Sequence, residues 1–325
     1  MARVLLCARG GACDLPAISH ALRDRGVEPL ELDSSAFPSG APVSLGFDAA
    51  GFRGAAPDDL AGVTAVWHQL VVGTDLPAME AGMRETCVAA AERVLIGLFD
   101  SLGVFQLDPA WAKARADNKP YQLRLAQQAG LAIPRTIVSN DADAVRAFAR
   151  AVGGPVITKM VVQPTTSGDG DEHDAGFTTA LRADELAHLD GLDLCPMIFQ
   201  EQIAHRRDVR VTVVGRRVFG AARERTEGGG DEIDGRHYAL DRAPAWRPYA
   251  VPDAIAARVL AVLDGLALNY GAADFAVEPD GRHVFLELDA SGSFAVLGEA
   301  LQAPIAAAIA DVLVDPAARR VVDRP

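Results

Sequence analysis

The chain has 325 residues, half of them hydrophobic and 23% charged, with a formal net charge of −13. This length and composition can bury two or three cores and exclude a disordered chain, while the negative balance opposes long-range attraction to nucleic-acid phosphates. The first apolar run, Val4 to Ala8, is too short for a signal-peptide core, and no later run reaches spanning length without charge, so the expectation is a cytoplasmic protein with neither membrane nor nucleic-acid partner.

Arg3 to Ala8 reads as a buried strand, a helix opened by Asp14 and Pro16 runs to Arg25 and stops at Gly26, and Glu28 to Leu32 reads as the next strand. The stretch from Ser34 to Asp59, rich in Gly, Pro and Ser, is predicted as a loop, Thr64 to Val72 as a strand and Pro77 to Leu102 as a long helix. Together they predict a small open parallel sheet, without a G-x-G-x-x-G turn after its first strand. A second unit begins near Asp108, where Asn118 can cap a helix with Lys119 and Pro120 in its first turn and Gly130 just past its end. Strand Arg135 to Ser139, helix Asp141 to Val152 and strand Val156 to Met160 follow. The polar loop Gln163 to Gly176 comes next; it can offer backbone N–H groups to phosphates, or be a plain connection. A third unit carries strands at Met197 to Glu201, Val209 to Val214 and Val218 to Arg223, then helix Pro252 to Leu268, a hairpin and a last helix from Ala300 to Val314. The expected domains are residues 1–110, 111–195 and 196–325.

Of 31 basic residues only Lys113, Lys119 and Lys159 are lysine. An ammonium is a compact point charge that sits well among phosphate oxygens, so these three are candidates for that role; chance survival under a bias toward arginine is the bland alternative. His205 to Arg247 carries ten arginines against seven acids, and anionic ligands would be drawn there. Cys7, Cys13, Cys87 and Cys195 form no C-x-x-C pair and are expected to be reduced, mostly structural thiols.

The sharpest chemistry lies between Ala272 and Ser291, where two apolar runs flank Pro279-Asp280-Gly281-Arg282. Asp-Gly between strands signals a hairpin. With Asp280 and Gly281 as a two-residue loop, Asp274 falls opposite Glu287. Asp289 then shares their face, and Phe275, Leu286 and Leu288 point to the apolar side. Directly paired residues hold their Cβ atoms about 4.5–5.5 Å apart, so like charges there need neutralising. A divalent cation bound by oxygens, Mg²⁺, would do so; arginines of the basic stretch are the alternative partners.

Lysines on successive elements, a Gly-rich loop and an acidic hairpin, in this order, resemble the ATP-grasp superfamily. The resemblance implies an α/β fold of α+β ATP-grasp type: an N-terminal open parallel α/β domain followed by two α+β lobes clasping ATP. It implies that Lys119 and Lys159 contact phosphates. Gln200, Glu201 and Ile203 of Phe199-Gln200-Glu201-Gln202-Ile203 would hold the adenine. In Asp208-Val209-Arg210-Val211, Asp208 would lie near the ribose and Arg210 near the terminal phosphate, and Asp274, Glu287 and Asp289 would bind Mg²⁺. Gly130-Leu131-Ala132-Ile133-Pro134-Arg135-Thr136, Arg210-Val211-Thr212-Val213-Val214-Gly215 and Tyr270-Gly271-Ala272-Ala273-Asp274 resemble the branch that matures ribosomally made peptides, the microviridin-type or graspetide synthetases. Asp234-Gly235-Arg236 resembles the segment whose arginine faces the acyl phosphate. This chain has Trp67-His68-Gln69 where that branch carries an aromatic-Arg-Arg triplet, and Asp289 where it carries Asn.

The resemblance implies a ligase using ATP and Mg²⁺, with Arg210, Arg223 and Arg236 as catalytic cations and a precursor peptide bearing a leader segment as partner. The rivals are a ligase for a free amino acid or other small carboxylate and a nucleotide- or peptide-binding relative without turnover. A homodimer is left open.

Overall fold

The computed structural model describes residues 2–49, 51–56, 58–162, 178–225 and 245–321. Its N-terminal unit runs β1 (Arg3–Ala8), α1 (Leu15–Arg23), β2 (Glu28–Asp33), β3 (Ser44–Asp48), β4 (Gly51–Ala55), β5 (Val63–Gln69), α2 (Ala81–Ser101) and β6 (Phe105–Leu107). Four of the strands form a parallel sheet in the order β2-β1-β5-β6, as their short apolar runs and intervening helices predict. The stretch predicted as a loop contains the antiparallel hairpin β3–β4. Its first strand alternates Leu45 and Phe47 with serine, glycine and aspartate and its second has Phe52 as its one large apolar residue, a pattern too diluted to signal a strand, and the Phe47 and Phe52 rings pair across it at 5.4 Å.

The middle of the chain runs α3 (Ala110–Ala116), α4 (Lys119–Gln128), β7 (Thr136–Ser139), α5 (Ala142–Val152), β8 (Val156–Met160), β9 (Thr179–Leu181), α6 (Ala183–Ala187) and β10 (Met197–Glu201). Asn118 caps α4 as expected, its side chain accepting from Tyr121 N at 3.0 Å. The strands form an antiparallel sheet, β7-β10-β8-β9. Ile137, Val156 and Phe199 pack toward α5, which leaves Thr136, Lys159 and Gln200 on the opposite face by strand alternation.

The last part runs β11 (Arg207–Val214), β12 (Arg217–Glu224), β13 (Arg247–Pro248), α7 (Asp253–Leu266), β14 (Tyr270–Val277), β15 (His283–Asp289) and α8 (Glu299–Val314). Its antiparallel sheet has the order β13-β12-β11-β14-β15. Val209, Val211, Ala273, Phe275 and Leu288 share one core with Ala112 of α3, Leu123 of α4 and Val259 of α7, so the other face of the sheet is left for polar residues.

The cores do not follow chain order. Helix α8 packs back on α1 and the parallel sheet, with Ile305 and Ile309 fully buried beside Val4, Leu6 and Ile18. Burying such a side chain contributes roughly 1.5–3 kcal/mol, so the two isoleucines anchor the C-terminal helix on the N-terminal unit. Asp108 forms a second tie. Its buried carboxylate follows β6 and accepts from Asn269 N at 2.9 Å and Tyr270 N at 2.8 Å, where β14 begins. Burial pushes this carboxyl up to about 6 against the pull of those N–H groups. Among the described residues no helix is long and apolar enough to cross a membrane.

Candidate active site

The acidic hairpin has the expected pairing for an unexpected reason. Glu278 N donates to Arg282 O at 3.0 Å and Gly281 N to Glu278 O at 2.9 Å, so the loop is Pro279-Asp280-Gly281, three residues rather than two. Gly281 takes the left-handed conformation, φ +89°, that such a turn requires. This turn sets Phe275 opposite Phe285, one residue out of the predicted register. A β-bulge between Asp274 and Phe275 absorbs the extra residue, and beyond it Asp274 pairs with Glu287 and Ala272 with Asp289. The three carboxylates therefore share a face. Leu286 is the residue taken up by the bulge. It is only half-buried, and Phe285 takes the core position predicted for it.

The two opposed acids are each matched by a cation. Arg210 on β11 lies beside Asp274 in the sheet and holds it bidentately, Nε to Oδ1 and Nη2 to Oδ2 both at 2.8 Å, a strong fork-to-carboxylate arrangement. Lys119, in the first turn of α4, bonds to Glu287. A row Arg210–Asp274–Glu287–Lys119 thus runs across the open face. Asp289 ends it, its Oδ1 accepting from Ser291 N at 2.8 Å. Desolvation raises the Asp289 carboxyl above its usual range, helped by the charges of Asp274 and Glu287 and opposed by Ser291 N–H and Arg210. Among the described residues no three Asp, Glu, His or Cys side chains converge as a ready metal cage; Asp274 and Glu287 face their cations.

Gln122, which sequence reasoning passed over, fixes the backbone of this row. It lies one turn past Lys119, buried, and its carboxamide both donates to Leu288 O at 2.7 Å and accepts from Leu288 N at 2.8 Å, with a further bond to Ala116 O. Leu288 separates Glu287 from Asp289, so α4 carries Lys119 and grips the strand that bears both acids. The one available signal was a polar residue on the buried stripe with Leu123 and Ala126. Gln122→Leu would leave three buried backbone groups unpaired. It should cost about 2–4 kcal/mol, read as a lowered denaturation midpoint; an unchanged midpoint would remove the clamp.

The turn after β15 is held by the N-terminal unit. Asp14 accepts from Ser293 Oγ and Ala295 N, both at 2.9 Å, Gln69 Nε2 donates to Ser291 O at 3.0 Å, and the Tyr270 hydroxyl donates to Gly292 O. A Cβ at position 292 would come 3.1 Å from Asp289 Oδ2 and from Ala272 Cβ, so only glycine lets this turn close over the acid without displacing it. Gln69 of the departed Trp67-His68-Gln69 triplet is therefore a strut beneath the acidic strand.

Asp208 shares the face of Arg210 on β11. It accepts from His205 Nε2 at 2.8 Å and from Arg223 Nε at 2.9 Å, and Arg223 lies over the Trp246 ring at 4.8 Å. Burial acts to raise its carboxyl, but the His205 bond and the Arg223 charge prevail and hold it below the usual range. Gln200 is buried and donates to Thr136 Oγ1 at 2.9 Å, and Glu201 accepts from Arg135 N at 2.9 Å. Ile203 O bonds to His205 Nδ1 at 2.8 Å, on the link between the two antiparallel sheets. Between α4 and β7, Pro120, Leu123, Ile133 and Val138 line an open groove of about 520 Å³. Arg236 and the Gly-rich loop around Gly168 and Gly170 lie outside the described residues.

No protein-family model matches the chain, and no curated protein matches it in sequence. Solved structures do. The chain is 32% identical to the macrocyclase MdnC from Microcystis aeruginosa MRC, bound with precursor peptide MdnA, over 96% of this chain and 99% of that one, with a TM-score of 0.82. A RiPP-associated ATP-grasp ligase from Chryseobacterium gregarium, in complex with ADP and a leader and core peptide, is 25% identical with full coverage of both chains and a TM-score of 0.85. The ATP-grasp ligase PsnB, complexed with a phosphomimetic variant of its minimal precursor, Mg and ADP, is 26% identical over 97% of this chain and 98% of that one, TM-score 0.70. Two antiparallel sheets beside a parallel α/β unit, with lysines on α4 and β8 and acids on the last hairpin, are the architecture of an ATP-grasp ligase. This chain belongs to the ATP-grasp ligases of the graspetide type, those that modify ribosomally made peptides.

Proposed function

We propose that this enzyme uses ATP and Mg²⁺ to join side-chain carboxylates of a precursor peptide to hydroxyl or amine side chains, through an acyl phosphate and with release of ADP. The observation that carries this reading is the row Arg210–Asp274–Glu287–Lys119 on one sheet face. It gathers the acids suited to a hard cation and the cations suited to phosphate oxygens. Asp274, Glu287 and Asp289 are the residues that would hold Mg²⁺, which when bound neutralises charge on the transferring phosphoryl group. Arg210 and Lys119, held by those acids, are assigned to the nucleotide's phosphates, with Lys159 of β8 as a third cation. Arg223 and Arg236 are assigned to the acyl phosphate and to the oxyanion formed as the nucleophile attacks. Gln200, Glu201 and Ile203 are assigned to the adenine and Asp208 to the ribose. The three domains divide as residues 1–110, 111–195 and 196–325, with α8 returning to the first. A leader segment in the partner is expected to dock before the core reacts.

Each ester or amide formed removes one water from the peptide. Co-expression with a short neighbouring reading frame rich in Thr, Ser, Asp and Glu should therefore yield a peptide lighter by about 18 Da per link, read by mass spectrometry. An unchanged peptide mass, with a free amino acid consumed instead, would overturn the peptide reading in favour of a small-molecule ligase.

A further inference from the structure

Lys119 and Lys159 fall within the proposed nucleotide machinery, and the third lysine does not. Lys113 lies on α3, partly exposed, and its ammonium donates to the carbonyl oxygen of His68 near the carboxyl end of β5. An ammonium has three donors, and among the described residues no carboxylate stands at ion-pair distance from this one. Desolvation pulls Lys113 down to about 8, although Asp108, Asp117 and Asp289 are near enough to favour its charge. A half-buried ammonium with one neutral hydrogen-bond partner is stabilised by an anion that completes its shell.

The position indicates which anion. Open α/β sheets receive ligands outside the carboxyl ends of their strands, and Lys113 stands at that edge, bonded to the end of β5. The same strand end reaches the acidic hairpin, because Gln69 bonds Ser291 just beyond Asp289. Lys113 therefore lies between the ligand edge of the parallel sheet and the acids assigned to Mg²⁺. A cation at this place attracts a negative group brought up to the acids. Lys119, by contrast, is committed to Glu287.

We propose that Lys113 binds the carboxylate that the enzyme activates, the side-chain carboxylate of an Asp or Glu in the peptide. This rests on the acyl-phosphate reading above. One carboxylate oxygen forms a bond to the γ-phosphorus while the bond from phosphorus to the β,γ-bridging oxygen breaks, and ADP leaves with that electron pair. Lys113 holds the acyl end of the group throughout and transfers no proton.

The reverse half-reaction tests this without a peptide: acetyl phosphate gives its phosphoryl group to ADP, yielding ATP and acetate. Lys113→Met in the full-length enzyme should raise KM for acetyl phosphate at least about tenfold, as expected for losing a hydrogen bond to a charged group, while KM for ADP stays within about twofold. Lys113→Arg, which keeps the cation, should recover part of the loss. Lys119→Met should show the opposite pattern, with KM for ADP rising. An unchanged KM for acetyl phosphate in the Met variant overturns the proposal. So does an equal rise in both constants with a lowered unfolding temperature, which would make Lys113 a structural cation only. No ATP formation by the wild-type enzyme would overturn the acyl-phosphate reading itself.

Discussion

Glu287→Ala should reduce ADP release by about three orders of magnitude or more, because the several kcal/mol that a metal and its ligands contribute to phosphoryl transfer correspond to a factor of that size. Glu287 is opposite Asp274 in the ladder and bonded to Lys119, so the substitution removes an acid from the metal face and the anchor of a phosphate-directed lysine. Stability should change little. Both side chains of the Lys119–Glu287 pair retain solvent exposure, 21% and 38%, and exposed ion pairs typically contribute about 1 kcal/mol or less. Loss of turnover with an unchanged unfolding temperature is therefore the expected combination. Unchanged ADP release in the folded variant would take Glu287 out of the metal site, and with it the main support for the proposed chemistry.

Asp289→Ala should lose about two orders of magnitude in ADP release, whereas Asp289→Asn should keep measurable activity and need more Mg²⁺ to reach it. The acid ends the row beside Asp274 and Glu287, whose charges help to raise its carboxyl. A third anionic ligand holds Mg²⁺ more tightly, and in the metal's absence repels the nucleotide's phosphates. Asn removes the charge but keeps an oxygen for the metal, and that oxygen can still accept from Ser291 N, now at 2.8 Å. Ala leaves that N–H unpaired and loosens the turn closed by Gly292. A Mg²⁺ titration of ADP release for the three proteins separates these effects. If all three titrate alike, Asp289 does not touch the metal.

The strut made by Gln69 gives the altered Trp67-His68-Gln69 triplet a physical role. An arginine at position 69 would bring a guanidinium to the carbonyl of Ser291, two residues from Asp289. The amide makes the same bond without charge. At this strand end a cation is supplied instead by Lys113, through the His68 carbonyl, which brings the triplet and that lysine to one place.

Much of the site was legible because its determinants are local. Strand alternation put Asp274, Glu287 and Asp289 on one face, an asparagine cap started the helix that presents Lys119, and short apolar runs separated by helices marked the parallel sheet. These follow from the two-residue period of a strand and the unpaired N–H groups of a helix start, which neighbouring residues satisfy on their own. The turn was different: three residues replace the predicted two, and a bulge at Leu286 returns the acids to register, a correction set by packing Phe275 and Phe285 into one core. Sequence by itself determined which residues could carry charge on the open face and the elements that bear them. Only the tertiary structure decided their partners. Arg210 meets Asp274 across 64 residues, Gln122 grips Leu288 across 166 and Lys119 meets Glu287 across 168. Such contacts depend on strand order and on the shared core under the sheet, and no local period encodes either.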